Sequence, residues 1–151
     1  MATPVKPLDR VQSDLRSAMK AGDKIRVSTL RMLLSELTNE RIRVGRDLDE
    51  EAFLTVVQRG VKQRHEASSL YRDGGREELA VKEETEATIL QEYLPEPVSQ
   101  EEVRTAVREL VASEGLEGPK AMGRLMGALM PRYKGRIDGR ELQRIVREEL
   151  G

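Results

Sequence analysis

The sequence predicts an all-α protein of two helical bundles, a four-helix domain over residues 1–95 and a three-helix domain over residues 96–151. Aromatic residues make up only 3% of the 151 residues and charged residues 35%, whereas a β-sandwich needs many aromatic and β-branched strand positions. Apolar residues recur at intervals of three and four, which is the period of an amphipathic helix. Pro95 and Pro97 interrupt this pattern, because each proline disfavours helix in the residue before it.

The first two helices are predicted on either side of Gly22. That glycine suits the left-handed end of one helix, and Asp23 can cap the next by accepting a hydrogen bond from a free amide. Gly45 ends the second helix in the same way. The apolar positions expected to face the core are Leu8, Val11, Leu15, Met19, Ile25, Leu30, Leu33, Leu34, Leu37 and Val44.

The third and fourth helices complete the first bundle. Asp49 opens the third helix, Asp73-Gly74-Gly75 ends it, and the fourth helix starts near Glu77. Their apolar positions are Phe53, Leu54, Val57, Val61, Tyr71, Leu79, Ala80, Ile89, Leu90 and Tyr93. The fourth helix also carries an acidic run, which we interpret as a solvated face. The run comprises Glu77, Glu78, Glu83, Glu84 and Glu86.

Three further helices are predicted after the proline pair. Ser99 begins a capping box, Gly115 ends the fifth helix, and Pro119 suits the first position of the sixth. Pro131 is expected to stop the sixth helix, and Asp138 to cap the seventh. The apolar positions are Val103, Ala106, Val107, Leu110, Val111, Met122, Leu125, Met126, Leu129, Met130, Leu142, Ile145, Val146 and Leu150.

Gly123 and Gly127 lie four residues apart in the predicted sixth helix. Glycines at this spacing let another backbone approach closely. Packing inside the C-terminal domain is the favoured interpretation. A groove for an RNA backbone or for a partner helix is the alternative that the pattern leaves open.

Candidate catalytic groups are few. The chain has no cysteine and one histidine, His65, whose neighbour Glu66 faces elsewhere on a helix. Ser68 and Ser69 lie within a predicted helix and not in the glycine-flanked turn that exposes a catalytic serine. No phosphate-binding loop motif occurs. We therefore expect no cofactor, no metal ion and no catalysis by the chain on its own.

Hydropathy indicates no membrane partner. No apolar run approaches the roughly 20 residues that span a bilayer, and the stretch from Met1 to Pro7 lacks the apolar segment of a secretory signal. The absence of cysteine excludes disulfides. These features predict a soluble, cytoplasmic protein.

The overall net charge of −1 conceals a polarised C-terminal domain. Residues 120–147 carry eight basic and two acidic residues, a net charge of +6, whereas residues 96–117 carry two basic and six acidic residues, a net charge of −4. The basic stretch precedes a helix whose free amides can bind an anion, which favours phosphate as the ligand. The candidate phosphate contacts are Lys120, Arg124, Arg132, Lys134, Arg136 and Arg140, with Gly135 allowing close approach of the turn.

An ordered set of short motifs runs along nearly the whole chain. It consists of Ala18-Met19-Lys20, Leu30-Arg31, Lys62-Gln63-Arg64, Tyr93-Leu94-Pro95, Met122-Gly123, Met126-Gly127, Lys134-Gly135-Arg136 and Asp138-Gly139. With these motifs the chain resembles the stand-alone proteins of the GatB/YqeY family. The resemblance implies a bundle of four helices followed by one of three, in agreement with the helical pattern.

The C-terminal half resembles the tail of the B subunit of the glutamine-dependent Asp/Glu-tRNA amidotransferases. That tail helps the enzyme to hold tRNA, so the resemblance implies tRNA contact at the basic turn. It also implies an association with carbon-nitrogen ligases that use glutamine as amido donor.

We therefore expect a non-catalytic, tRNA-associated helical protein, with tRNA, aminoacyl-tRNA or the amidotransferase machinery as partner. Two alternatives stay open. One is a protein-protein adaptor with an apolar groove for a partner helix. The other is an accessory component of tRNA amidotransfer.

Overall fold

A computed structural model describes residues 5–151 as seven α-helices without a strand. The all-α prediction is confirmed. The helices are α1 (Pro7–Ala21), α2 (Lys24–Val44), α3 (Glu50–Asp73), α4 (Glu77–Gln91), α5 (Gln100–Glu114), α6 (Lys120–Arg132) and α7 (Gly139–Leu150). Among the described residues, no helix is long and apolar enough to cross a membrane.

Local capping chemistry sets the helix ends. Asp23 accepts a hydrogen bond from the amide of Arg26, and Ser99 accepts one from the amide of Glu102. These side-chain oxygens satisfy amides that have no partner inside the helix. α1 ends at Gly22 with φ of 68°, a left-handed conformation that glycine adopts without steric cost.

The chain divides into two compact units, one that ends at Leu94 and one that spans Pro95–Gly151. The N-terminal unit holds α1 to α4 around an apolar core. Its buried residues include Val11, Leu30, Leu33, Leu37, Phe53, Val57, Ala87 and Leu90. Phe53 and Tyr93 meet edge to face, with ring centroids 5.9 Å apart.

The C-terminal unit holds α5 to α7 around a second core. Its buried residues are Val103, Ala106, Val107, Leu125, Leu129, Tyr133, Leu142, Ile145 and Val146. The methionines of α6 are half-buried and pack against this core, as their spacing predicts. They are Met122, Met126 and Met130.

The glycines of α6 do not pack in the core. Gly123 and Gly127 are both exposed, and a Cβ added to either would meet no atom within 4 Å. Ala121, Leu125 and Leu129 form the buried side of α6, the methionines lie beside it, and the glycines lie on the exposed side. The favoured interpretation of core packing is therefore wrong for the two glycines, although the methionines at the same spacing do pack on the core.

α6 ends at Arg132, one residue after Pro131, close to where the sequence pattern ends it. Three residues differ from that pattern. Met19 on α1 and Tyr71 at the end of α3 are exposed and do not face the core. Glu86 is buried and not part of a solvated face, because it pairs with Arg64 across the interior of the N-terminal unit.

Candidate nucleic-acid interface

One side of α6 combines small residues with positive charge. Lys120, Gly123, Arg124, Gly127 and Pro131 recur at intervals of one, three and four residues and are all exposed, so they share a face of the helix. With no side chain at the two glycines, the backbone of α6 is accessible there. This face can approach an extended backbone closely.

α6 also starts without a side-chain cap and without an acidic residue in its first turn. Lys120 is its first residue. An uncapped helix N-terminus carries partial positive charge and free amides, so it favours an anion.

The N-terminus of α7 is different. Asp138 Oδ1 accepts a hydrogen bond from the amide of Arg140 at 3.0 Å. A carboxylate therefore already occupies the place that the sequence pattern assigned to a phosphate. Among α5, α6 and α7, only α6 begins without a side-chain cap.

The basic turn between α6 and α7 depends on Gly135. The amide of Arg136 donates to the carbonyl of Tyr133 at 2.8 Å, and Gly135 has φ of 79°. Gly135 is buried, so it shapes the turn from within. Tyr133 is 1% exposed and anchors the turn in the core of the C-terminal unit.

Arg136 holds the segment that leads into α5. Its Nε donates to the carbonyl of Glu96 at 2.8 Å, and its own carbonyl accepts from the amide of Val98 at 3.0 Å. Its guanidinium also lies 5.9 Å from the centroid of the Tyr133 ring. The sequence pattern predicts that Arg136 contacts phosphate. In the structure its contacts instead hold the residues before α5 against the turn.

Two of the other candidates have contacts that a phosphate could replace or share. Arg124 pairs with Glu114, with 2.7 Å between Nη2 and Oε1, and its side chain is 62% exposed. Ion pairs this exposed contribute at most about 1 kcal/mol. The guanidinium of Arg132 lies 5.2 Å from the centroid of the Tyr133 ring and its residue is exposed.

The remaining candidates carry unpaired charge. Within the part of the chain that the structure describes, no ion pair is formed by Lys120, Lys134 or Arg140. Arg147, which the sequence pattern did not single out, is exposed and also forms none. Arg144 differs, because its guanidinium lies 2.8 Å from Glu148 and 3.7 Å from Glu141.

Several glutamates of this unit, Glu114, Glu141, Glu148 and Glu149, pair with arginines. Arg104 bridges Glu148 and Glu149, and its hydrogen bond lowers the pKa of Glu148 below the usual value. Arg108 donates to Glu149 and lowers the pKa of that carboxyl. These glutamates are therefore tied to arginines, while Lys120, Arg132 and Lys134 form no ion pair among the described residues.

The candidate catalytic residues of the sequence belong to the N-terminal unit. His65 is exposed on α3, and Ser68 is buried and donates to Glu84 at 2.8 Å. Among residues 5–151 no three His, Asp or Glu side chains are grouped so that they could hold a metal ion.

Sequence reasoning missed a polar pocket of about 620 Å³ in the N-terminal unit. Arg10, Asp14 and Tyr93 are among its lining residues. Asp14 and Tyr93 are 79 positions apart in the chain, so no local pattern could have indicated that they meet.

The sequence was compared with known proteins. The sequence model of the family described as Yqey-like protein matches residues 8–150. A relative from Pyrenophora tritici-repentis, named "Altered inheritance of mitochondria protein 41, mitochondrial", is 30% identical over 148 residues, which are 95% of this chain and 81% of the relative. A relative of the same name from Lachancea thermotolerans is 36% identical over 93 residues. That match covers 60% of this chain and 50% of the relative.

The names of these relatives contradict the cytoplasmic location expected from the sequence, since they describe mitochondrial proteins. The expectation was wrong for a physical reason. A helical surface rich in charge suits any aqueous compartment, so composition and hydropathy do not encode which compartment a chain occupies.

Proposed function

Since this chain belongs to the family of Yqey-like proteins, we propose that its C-terminal unit binds the phosphate backbone of tRNA without itself catalysing a reaction. The observation that carries the proposal is the set of cations on α6, in the turn after it and at the start of α7 that form no ion pair. In the described part of the chain these are Lys120, Arg132, Lys134 and Arg140.

Unpaired cations matter more than total charge. A cation that is already paired must lose its carboxylate before it can hold a phosphate, whereas an unpaired cation only displaces water and releases the counterions of the nucleic acid. Arg104, Arg108 and Arg144, on α5 and α7, are already engaged by glutamates of α7. Among the described residues, the unpaired positive charge of this unit lies on α6, in the turn after it and at Arg140 and Arg147 of α7.

The shape of α6 supports the same ligand. Gly123 and Gly127 leave the exposed side of the helix open, and Lys120 stands at its uncapped N-terminus. A phosphate at that terminus would accept hydrogen bonds from free amides, and the following sugar-phosphate backbone would run past the two glycines. Contacts of this type fix position and carry no base sequence information.

The test is tRNA binding across a salt series with the full chain. Replacing Lys120, Lys134 and Arg140 together with Ala removes three unpaired cations. Affinity for tRNA should fall, and the slope of log K against log salt should shrink by about two to three units, because each phosphate contact releases nearly one counterion.

The matched control is Arg144→Ala. It removes a positive charge from the same unit, but from a side chain that already contacts Glu141 and Glu148. Its salt slope should stay at the wild-type value. If Arg144→Ala reduced the affinity for tRNA and the salt slope as much as the triple variant does, net charge alone would explain the binding. Absence of salt-dependent binding by the wild-type chain would replace the tRNA proposal with the protein-protein adaptor.

A further inference from the structure

The polar pocket lies in the N-terminal unit, within one compact body and independent of the basic surface. α1 contributes Arg10, Asp14 and Ser17, and the residues after α4 contribute Glu92 and Tyr93. Its volume of about 620 Å³ lies within the usual range of small-molecule sites, roughly 300–1,000 Å³.

Arg10 and Asp14 place opposite charges side by side in this pocket without pairing. They are four residues apart on α1, a spacing at which such side chains commonly form an ion pair. Arg10 Nη2 instead contacts Glu50 Oε1 at 3.3 Å. Asp14 Oδ2 accepts the hydroxyl of Tyr93 at 2.5 Å. Arg10 and Asp14 therefore do not pair with each other, although each contacts another residue.

Each of these two groups has bonding capacity left. Arg10 Nε is buried and has no hydrogen-bond partner among the described residues. A carboxylate offers about four acceptor positions, and the hydroxyl of Tyr93 takes one of those of Asp14. Burial of an unsatisfied donor is unfavourable, so a ligand acceptor beside Arg10 would be stabilised.

The other charges of the pocket are already matched. Arg26 Nη1 lies 2.5 Å from Glu92 Oε2, and Arg26 Nε lies 3.3 Å from Asp23 Oδ2. Beside them, Ala18 and Ala21 provide a small apolar wall. Arg10 itself keeps its ion pair with Glu50 and lies over the Phe53 ring, 4.8 Å from the centroid. The pocket thus offers a cation with one unsatisfied donor, a carboxylate with unused acceptor positions and space next to them.

We propose that this pocket binds a free α-amino acid, with its ammonium group on Asp14 and its carboxylate on Arg10. An α-amino acid carries both charges on adjacent atoms, so it can satisfy two groups that lie one helical turn apart. A simple amine or a simple carboxylate would satisfy only one of them. The side chain of the amino acid would lie toward Ala18 and Ala21.

The test is nuclear magnetic resonance titration of the full chain labelled with nitrogen-15. The probes are L-leucine, L-glutamine, L-lysine and L-glutamate, which share the ammonium and carboxylate groups and differ in the side chain. At least one probe should shift the amides of α1 near Asp14 and of Tyr93 in a saturable manner. The probe that binds best is then compared with its N-acetyl and carboxamide forms and with n-butylamine and acetate.

Each of these four comparison compounds should bind at least about tenfold more weakly, because each loses a charge-assisted hydrogen bond. Asp14→Asn should weaken the best probe by a similar factor, while Asp9→Asn, at an acid of the same helix that is not among the pocket's lining residues, should not. Arg10→Met tests the contact to the carboxylate of the ligand and should also weaken binding of the best probe. Its control, Arg16→Met, should leave the affinity unchanged.

Three results would overturn the proposal: no shift with any probe, equal binding of the N-acetyl form, or unchanged affinity in Asp14→Asn. The comparisons among ligands use the wild-type chain, so the proposal stays testable even where a variant fails to fold.

Discussion

Arg64 and Glu86 form an ion pair inside the N-terminal unit, with Arg64 Nε 3.4 Å from Glu86 Oε2 and side chains only 6% and 8% exposed. Arg64 also donates through Nη1 to the carbonyl of Gly60 at 3.1 Å. The pair joins α3 to α4. Two charges removed from water in this way depend on each other, because either alone would be buried without compensation.

Breaking this pair should destabilise the N-terminal unit strongly. Arg64→Met leaves the carboxylate of Glu86 buried and unpaired, which typically costs about 3–5 kcal/mol. Urea unfolding followed by circular dichroism measures the change. The control is Arg72→Met, which removes an arginine whose pairs with Glu77 and Glu84 are exposed. Its effect should be much smaller than that of Arg64→Met, because solvent screens exposed ion pairs.

The double variant Arg64→Met with Glu86→Leu should recover most of the loss, because no charge is then left in the interior. A double variant as unstable as Arg64→Met would show that the two side chains act separately.

Arg136→Ala should destabilise the C-terminal unit by about 1 kcal/mol, since it removes the hydrogen bond to the carbonyl of Glu96. A side chain that served only as an exposed phosphate contact would change stability by no more than about 0.5 kcal/mol. Arg140→Ala is the control, because that exposed side chain should change stability by no more than about 0.5 kcal/mol. Thermal unfolding of both variants decides between the two expectations. If Arg136→Ala were as stable as Arg140→Ala, the contacts of Arg136 would not contribute to the stability of the unit.

Gly123→Ala should stabilise α6 by about 0.5–1 kcal/mol. The added methyl group meets no atom within 4 Å, and alanine has a higher helix propensity than glycine. If a tRNA backbone runs along this face, the same substitution should weaken tRNA binding. Thermal unfolding and tRNA binding are measured on one sample, and a variant with higher stability and unchanged binding would place the RNA elsewhere.

Gly135→Val should destabilise the turn by roughly 2 kcal/mol, because a β-branched residue does not adopt φ of 79° without strain. Gly135→Asn is the matched variant, since asparagine tolerates the left-handed region better. Denaturant unfolding should rank wild type above Asn and Asn above Val. If Gly135→Val and Gly135→Asn lost the same amount of stability, the cause would be the volume of the added side chain and not the backbone angle.

The stability of the N-terminal unit should fall at high pH because of Tyr93. Burial and the hydrogen bond to Asp14 raise the pKa of the Tyr93 hydroxyl. The folded state therefore keeps its proton where the unfolded state, with an ordinary pKa of about 10, loses it. The contribution is complete below about pH 10 and decreases as pH rises toward the folded value.

Urea unfolding between pH 8 and pH 11 measures this decline, and Tyr93→Phe should flatten it. Tyr71→Phe, at an exposed tyrosine of α3, should leave the wild-type slope. An identical pH dependence in wild type and Tyr93→Phe would assign the decline to other groups.

The sequence by itself determined the helices and their ends. Asp23 and Ser99 cap helices where the pattern places them, and Gly22 closes α1. These features follow from interactions between residues three or four positions apart, which a linear sequence displays directly. The half-buried methionines of α6 were predictable for the same reason.

Only the tertiary structure decided which charges are free. Lys134 and Arg136 are equivalent in the sequence pattern, yet Arg136 is bound to Glu96, 40 positions away, while Lys134 forms no ion pair among the described residues. Glu86 is buried through Arg64, and Asp14 meets Tyr93. Such contacts depend on how helices pack against one another. The sequence shows on which face of its helix a charged residue lies, but it does not show which residue of another helix packs against it.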